Sequence, residues 1–208
     1  MAITNYGELK SAVGDFLNRS DLTSVIPTFI DFAEAEFNRI LRIRQMVARA
    51  EAVIDARFSA VPADFLEAKD LVIVTGTPVT PLQFVTQQEM AQIRRDEITS
   101  AGKPLYFSVV GGQFEFCPTP DNEYSLEMTY YANITPLSGD SDTNWLLTDY
   151  PDLYLYTSLM HSAPYLKDDE RIAIWANLAQ KAKSELVESD QSASYAGSTP
   201  RIRVRSFG

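Results

Sequence analysis

Residues 26–55 read IPTFIDFAEAEFNRILRIRQMVARAEAVID, and the spacing of apolar side chains changes once within them. Ile26, Phe29, Ile30, Ala33, Phe37, Ile40 and Leu41 recur at the helical period, with Glu34, Asn38 and Arg42 expected on the far side. From Met46 the period is two. Met46, Ala48, Ala50, Ala52 and Ile54 alternate with Val47, Arg49, Glu51, Val53 and Asp55, the signature of a half-buried strand. A helical segment therefore hands over directly to a sheet, and the remaining pattern extends outward from that junction. Upstream, Asn5 with Glu8 fits a capping box, and Leu9, Val13, Phe16 and Leu17 make one apolar stripe. Helices are expected over 5–18 and 25–44, with Pro27 in the first turn of the second, packed as an antiparallel hairpin.

Downstream the strand signals continue to Ile134. Val61-Pro62-Ala63-Asp64-Phe65 is a turn, and Asp70–Thr75 with Val79–Thr86 reads as a hairpin around Thr75-Gly76-Thr77-Pro78. Gln87–Ile98 carries helix formers. Leu105–Val110 and Gln113–Cys117 flank Gly111-Gly112, a strong hairpin signal and too short for a phosphate loop. In Tyr124–Ile134, Leu126, Met128, Tyr130 and Ala132 alternate with Ser125, Glu127, Thr129 and Tyr131. Helices return at 149–163, ended or kinked by Pro164, and at 168–188, with Asp168-Asp169-Glu170 suited to the helix N-terminus. The expected class is α+β: about four helices from both ends of the chain form a bundle, with an inserted antiparallel β-domain. The segments are 1–45, 46–135, 136–190 and an extended tail, 191–208.

Composition narrows the function. The 208 residues carry 18 Lys and Arg against 28 Asp and Glu, a net charge of −10, which disfavours gripping nucleic acid. The single cysteine, Cys117, excludes an internal disulfide or a Cys-based zinc site. The single histidine, His161, has no second imidazole with which to share a metal and reads as a packed helix histidine. Cys117 has no neighbouring base in sequence to activate it. Asp64 with Glu67, or Asp168 to Glu170, would be the carboxylates of a hydrolase, yet turn and helix N-terminal acids account for them. No cofactor or metal is expected. No signal-peptide pattern and no apolar run of about 20 residues is present, so the chain is expected to remain in a cytoplasm-like compartment or to leave it by a route the sequence does not encode.

Two features point to partners. Trp145, Leu146, Leu147, Tyr150 and Tyr154 form an aromatic and apolar cluster, with Tyr156 beside it, suited to core or subunit contact. After Ser189 the composition turns small and polar, then closes with Arg201-Ile202-Arg203-Val204-Arg205-Ser206-Phe207. This tail carries +3 and the preceding 190 residues −13. Arg201, Ile202, Arg203, Val204, Arg205 and Phe207 are therefore the candidate docking strand, basic on one edge and apolar on the other.

Several strings together resemble bacteriophage head-to-tail adaptor (connector) proteins of short-tailed phages, of the tail tubular protein A type. They run from Glu8-Leu9, Leu17-Asn18-Arg19, Ile26-Pro27 and Ala33-Glu34 through Pro62-Ala63-Asp64-Phe65-Leu66-Glu67, Pro118-Thr119-Pro120 and Tyr130-Tyr131. The most specific are Thr143-Asn144-Trp145-Leu146-Leu147, Pro151-Asp152-Leu153-Tyr154-Leu155-Tyr156 and Ala163-Pro164-Tyr165-Leu166-Lys167-Asp168-Asp169-Glu170-Arg171. Order and spacing carry the resemblance over most of residues 6–175. Phe16 stands where many relatives have a tryptophan, a change that an apolar core site absorbs. The resemblance implies a structural virion protein: a ring, typically of twelve copies, docked under the portal and presenting a platform to the tail or nozzle. Double-stranded DNA would pass through without specific binding. It further implies location in the virion neck after assembly in the host cytoplasm. The resemblance stops near Ser189, so portal docking by the tail rests on its charge and period. A carboxylate-dependent cell-wall hydrolase and a monomeric assembly factor remain the alternatives.

Overall fold

A computed structural model describes residues 3–96, 100–166 and 171–195. The chain divides into two compact units, one of residues 1–45 and 134–208, the other Met46–Asn133.

The first unit is helical. Helix α1 (Tyr6–Leu17) begins at Asn5, whose Oδ1 accepts from the Glu8 amide at 2.9 Å. The Glu8 carboxylate reaches back to the amide and hydroxyl of Thr4, one residue before the usual capping-box partner. Asn18 closes the helix in the left-handed conformation, φ 55°. Gly7 donates its amide to the Asp140 carbonyl, and a Cβ there would stand 3.1 Å from that oxygen. A side chain at this position would push the 138–142 loop away.

Helix α2 (Ile26–Ile40) is shorter than its apolar pattern. The Arg42 guanidinium donates to the Asn38 and Leu41 carbonyls, satisfying helix-end acceptors where the chain leaves the helix. A 3-10 turn, Arg44–Met46, follows. Ile26, Phe29, Ile30, Ala33, Phe37 and Leu41 are buried as the period requires. Two residues depart from it: Ile40 is exposed, and Glu34, expected outside, is buried.

The return segment holds α4 (Trp145–Asp149), α5 (Pro151–Leu166) and α6 (Ile172–Tyr195). The expected helix over 149–163 is α5, which begins at Pro151 and runs on to Leu166; α4 is a further short helix in the stretch expected to be loop. Pro164 lies inside α5 and supplies no N–H to the helical ladder there. The Asp168–Glu170 cluster lies outside the described residues.

Helix α5 is the hub: α1, α2, α4 and α6 all pack on it, while α1 and α2 touch each other lightly. The expected α1–α2 hairpin thus takes most of its packing from α5, with α1 and α2 meeting near Gly14 and Ile26. Ring pairs Phe29–Tyr165, Phe32–His161 and Phe37–Tyr154 run in opposite sequence directions along α2 and α5, so these two are antiparallel. Phe16 is 48% exposed and is not a core residue.

Helix α6 runs past its expected end at 188, so residues 191–195 are helical rather than extended tail. The anchor is tertiary. Asp190 accepts from the Arg44 amide (3.1 Å) and Nε (2.9 Å), holding the last turns in place.

The second unit contains β1 (Val47–Ile54), β2 (Phe58–Ala60), β3 (Phe65–Ile73), β4 (Thr80–Pro81), β5 (Gln83–Phe84), α3 (Gln87–Asp96), β6 (Tyr106–Val110), β7 (Gln113–Cys117) and β8 (Tyr124–Ala132). Two sheets form, ordered β1-β8-β3-β4 and β2-β7-β6-β5. Their side chains share one core, including Ile54, Leu71, Ile73, Leu126 and Met128 from the first sheet and Phe107, Phe114 and Phe116 from the second.

Gly111 (φ 57°) and Gly112 (φ 76°) make the β6–β7 hairpin, with both central residues in the region that favours glycine. The expected hairpin arm Val79–Thr86 is instead divided. Thr80–Pro81 pairs antiparallel with β3, and Gln83–Phe84 pairs parallel with β6. Leu82 lies at the crossing with its side chain in the shared core. All other strand pairs are antiparallel. Helix α3 opens on a capping box in which Thr86 and Glu89 exchange hydrogen bonds.

Phe114 is fully buried, with Phe65 and Phe107 edge-on at 5.3 and 6.2 Å. Replacing it with alanine is expected to destabilise the β unit by about 3–5 kcal/mol. Denaturant unfolding followed by tyrosine and tryptophan fluorescence measures the loss.

Candidate functional site

The cluster around Trp145 is built by one asparagine. Asn144 precedes Trp145-Leu146-Leu147 in extended conformation, and its Oδ1 caps α4 by accepting from the Leu147 amide at 2.9 Å. Its Nδ2 donates to the Thr135 carbonyl and to the Tyr154 hydroxyl, both at 2.8 Å. Tyr154 in turn donates to Glu34 Oε1 at 3.2 Å, and the Leu137 amide donates to the same oxygen at 3.1 Å. Phe37 packs edge-on against the Tyr154 ring, 5.0 Å between centroids. A carboxylate from α2, a phenol from α5 and an amide beside α4 thus close one buried polar network.

The network decides which cluster residues can meet another molecule. Leu146, Leu147 and Tyr154 are fully buried. Their expected place at a subunit contact is corrected to the chain's own core. Trp145 and Tyr150 are half-buried and keep outward-facing surface, as does Tyr156. The docking residues Arg201, Ile202, Arg203, Val204, Arg205 and Phe207 lie outside the described residues.

The remaining chemistry-bearing residues are dispersed. His161 Nε2 lies 2.8 Å from the Glu36 carboxylate, as a hydrogen-bonded helix histidine should. Cys117 is buried, and desolvation raises its thiol pKa although Arg94 and Arg57 pull the other way. Its sequence neighbourhood did not reveal those arginines. Both guanidiniums converge on the buried Glu115 carboxylate, Arg57 at 2.7 Å and Arg94 at 3.1 Å. Asp64 and Glu67 are exposed, and Asp64 accepts from the Tyr130 hydroxyl at 2.9 Å.

In the helical unit a polar groove of about 600 Å³ runs along α1, where Lys10 is paired with Asp140 at 2.5 Å and Arg19 with Asp21 at 2.6 Å. In the β unit a groove of about 400 Å³ is lined by Phe65, Leu82, Phe84, Phe107 and Val109. Among the described residues no group of three or more His, Cys, Asp or Glu is placed to hold a metal ion, and no helix is long and apolar enough to cross a membrane.

The arrangement is one of packed helices, a two-sheet unit and half-covered aromatic surface, with polar groups engaged in capping and bracing. A match to a family model accompanies it, extending over residues 4–205 to the description SU10 adaptor protein. The chain belongs to the SU10 adaptor protein family. It is therefore a structural adaptor of a bacteriophage, a virion component. No curated protein matches the chain. The family match extends through Arg205, so the arginines of the tail fall within the family's length.

Sequence reasoning missed Glu34 and Asn144, and the signals for both are present. Glu34 lies one turn after Ile30 and three residues before Phe37, on the buried stripe. Asn144 immediately before an apolar run is a helix-start signal. Burial raises the Glu34 pKa to about 6 from 4.5, with Asp31 adding to the effect against the Leu137 and Tyr154 hydrogen bonds. A folded-state pKa above the unfolded value means the contribution is fully present below about pH 4.5 and lost as pH rises through about 6. The loss is about 2 kcal/mol. Glu34→Gln is expected to flatten this part of the stability profile, measured by unfolding free energies from pH 4 to 8.

Proposed function

We propose that the chain is a head-to-tail adaptor that assembles as a ring, twelve copies in the family's usual form, between the portal and the tail or nozzle. What carries the reading is the family match running from the first helix through the arginine tail. The ring lines part of the channel through which the genome is packaged, retained and ejected. The charge distribution suits both tasks. A body of −13 repels phosphates and lets duplex DNA slide past without adhering. The tail of +3 is reserved for a protein surface. Arg201, Arg203 and Arg205 would meet acidic side chains or carbonyls of the portal, while Ile202, Val204 and Phe207 fill apolar sites beside them. Trp145 and Tyr150 are the surface left for a neighbouring subunit. The place of action is the virion neck, after assembly in the host cytoplasm.

The reading contains no catalytic step. Wild-type protein and the Asp64→Asn, Glu67→Gln double variant should be equally inactive in a cell-wall hydrolysis assay.

Removing residues 196–208 leaves the described part of α6 complete, which makes it a clean test of docking. The truncated chain should fold and fail to co-sediment with portal. Arg201→Glu, Arg203→Glu and Arg205→Glu together should do the same, and wild-type binding should weaken with added salt. Undiminished co-sedimentation of the truncated chain would refute tail docking.

A further inference from the structure

Strand β1 is an edge strand. It pairs with β8 in unbroken register from Val47↔Tyr131 to Ile54↔Tyr124, and no other strand lies on its far side among the described residues. An eight-residue edge without a proline or a bulge offers its outward amides and carbonyls to another strand.

The sequence of that edge is complementary to its own reverse. Residues 47–53 read Val-Ala-Arg-Ala-Glu-Ala-Val, the same in both directions except that Arg49 and Glu51 exchange places. We propose that β1 docks on β1 of a second copy, antiparallel and centred on Ala50, joining the two copies of its sheet across a two-fold axis. In that register Arg49 of each copy faces Glu51 of the other, Val47 faces Val53, and Ala48 faces Ala52. Opposed residues of an antiparallel pair point to the same face. The charges and valines therefore meet on the solvent side, where Arg49, Glu51 and Val53 are exposed. The alanines meet on the core side.

Neighbouring registers lack this match. A shift by one residue turns the core face of one strand toward solvent. A shift by two opposes Glu51 to Glu51 or Arg49 to Arg49.

The edge also carries a charge imbalance that the second copy relieves. Glu51 lies directly opposite Glu127 of β8, a like-charge pair, and Arg49 bridges both carboxylates at 2.8 Å each. The partner copy brings a second guanidinium to the open side of Glu51. Such a contact is isologous, whereas a ring is closed by heterologous contacts. It therefore describes free protein before ring assembly, and it stands independently of portal docking.

The test uses the full chain in sedimentation velocity across a concentration series. Wild type should show a monomer–dimer equilibrium. Arg49→Glu and Glu51→Arg, each alone, should weaken dimerisation about tenfold or more, because each opposes like charges twice. Mixing the two variants should restore a heterodimer, since every opposed pair is then complementary. Ala50→Cys should give a disulfide-linked dimer on mild oxidation, because opposed Cα atoms in an antiparallel pair lie about 4.5–5.5 Å apart. Wild-type protein that stays monomeric, or a dimer indifferent to both charge reversals, would overturn the proposal. So would dimerisation that appears only after residues 196–208 are removed, which would make the tail the occupant of β1.

Discussion

The buried carboxylate of Glu34 is the constraint on which the helical unit depends. Taking a carboxylate out of water is costly unless hydrogen bonds replace hydration. The partners come from segments far apart in the chain: the Leu137 amide from the returning strand of backbone and the Tyr154 hydroxyl from α5. Asn144 then joins the Tyr154 hydroxyl to the cap of α4 and to the Thr135 carbonyl. Once α2 presents Glu34 to the interior, the return path from Ile134 to Tyr154 is largely specified. An apolar residue at 34 would pack, but it would leave the Leu137 amide without its acceptor.

Polar bracing of this kind recurs and gives the adaptor its character. In the helical unit Asp190 holds the end of α6 to Arg44, and Asn38 accepts from the Ile134 amide at 2.9 Å. In the β unit Glu115 is gripped by two guanidiniums, and Arg94 also donates to the Phe116 carbonyl and to Thr119. These groups are satisfied by one another, and each ties together segments that are apart in the chain. Rigidity suits a structural component of a virion.

Much of the fold is legible along the chain, and the omissions have physical causes. The alternation of Leu126, Met128 and Tyr130 identifies both β8 and its buried face, and Gly111-Gly112 marks the β6–β7 hairpin. Local pattern does not distinguish one strand from two that belong to different sheets, so the division at Leu82 escapes it. The burial of Glu34 escapes a reading that assigns charge to solvent by type, although its position is on the apolar stripe. The length of α6 escapes because its anchor, Arg44, is distant in sequence. Among the aromatic cluster, residue type gives no means of separating core Tyr154 from half-exposed Trp145 and Tyr150. Hydrogen bonding from Asn144 makes that separation.

The β unit is one unbroken segment, whereas the helical unit is drawn from both sides of it. Domains fold as units while the chain is synthesised from its N-terminus. The β unit can close as soon as Asn133 has emerged from the ribosome. Helices α1 and α2 cannot, because α5, on which both bury their apolar faces, has not yet emerged. Leu9, Val13, Phe29 and Phe37 therefore wait uncovered through the synthesis of an entire inserted unit. Between the emergence of α2 and that of α5, apolar surface that ends in the core is open to contact with other chains.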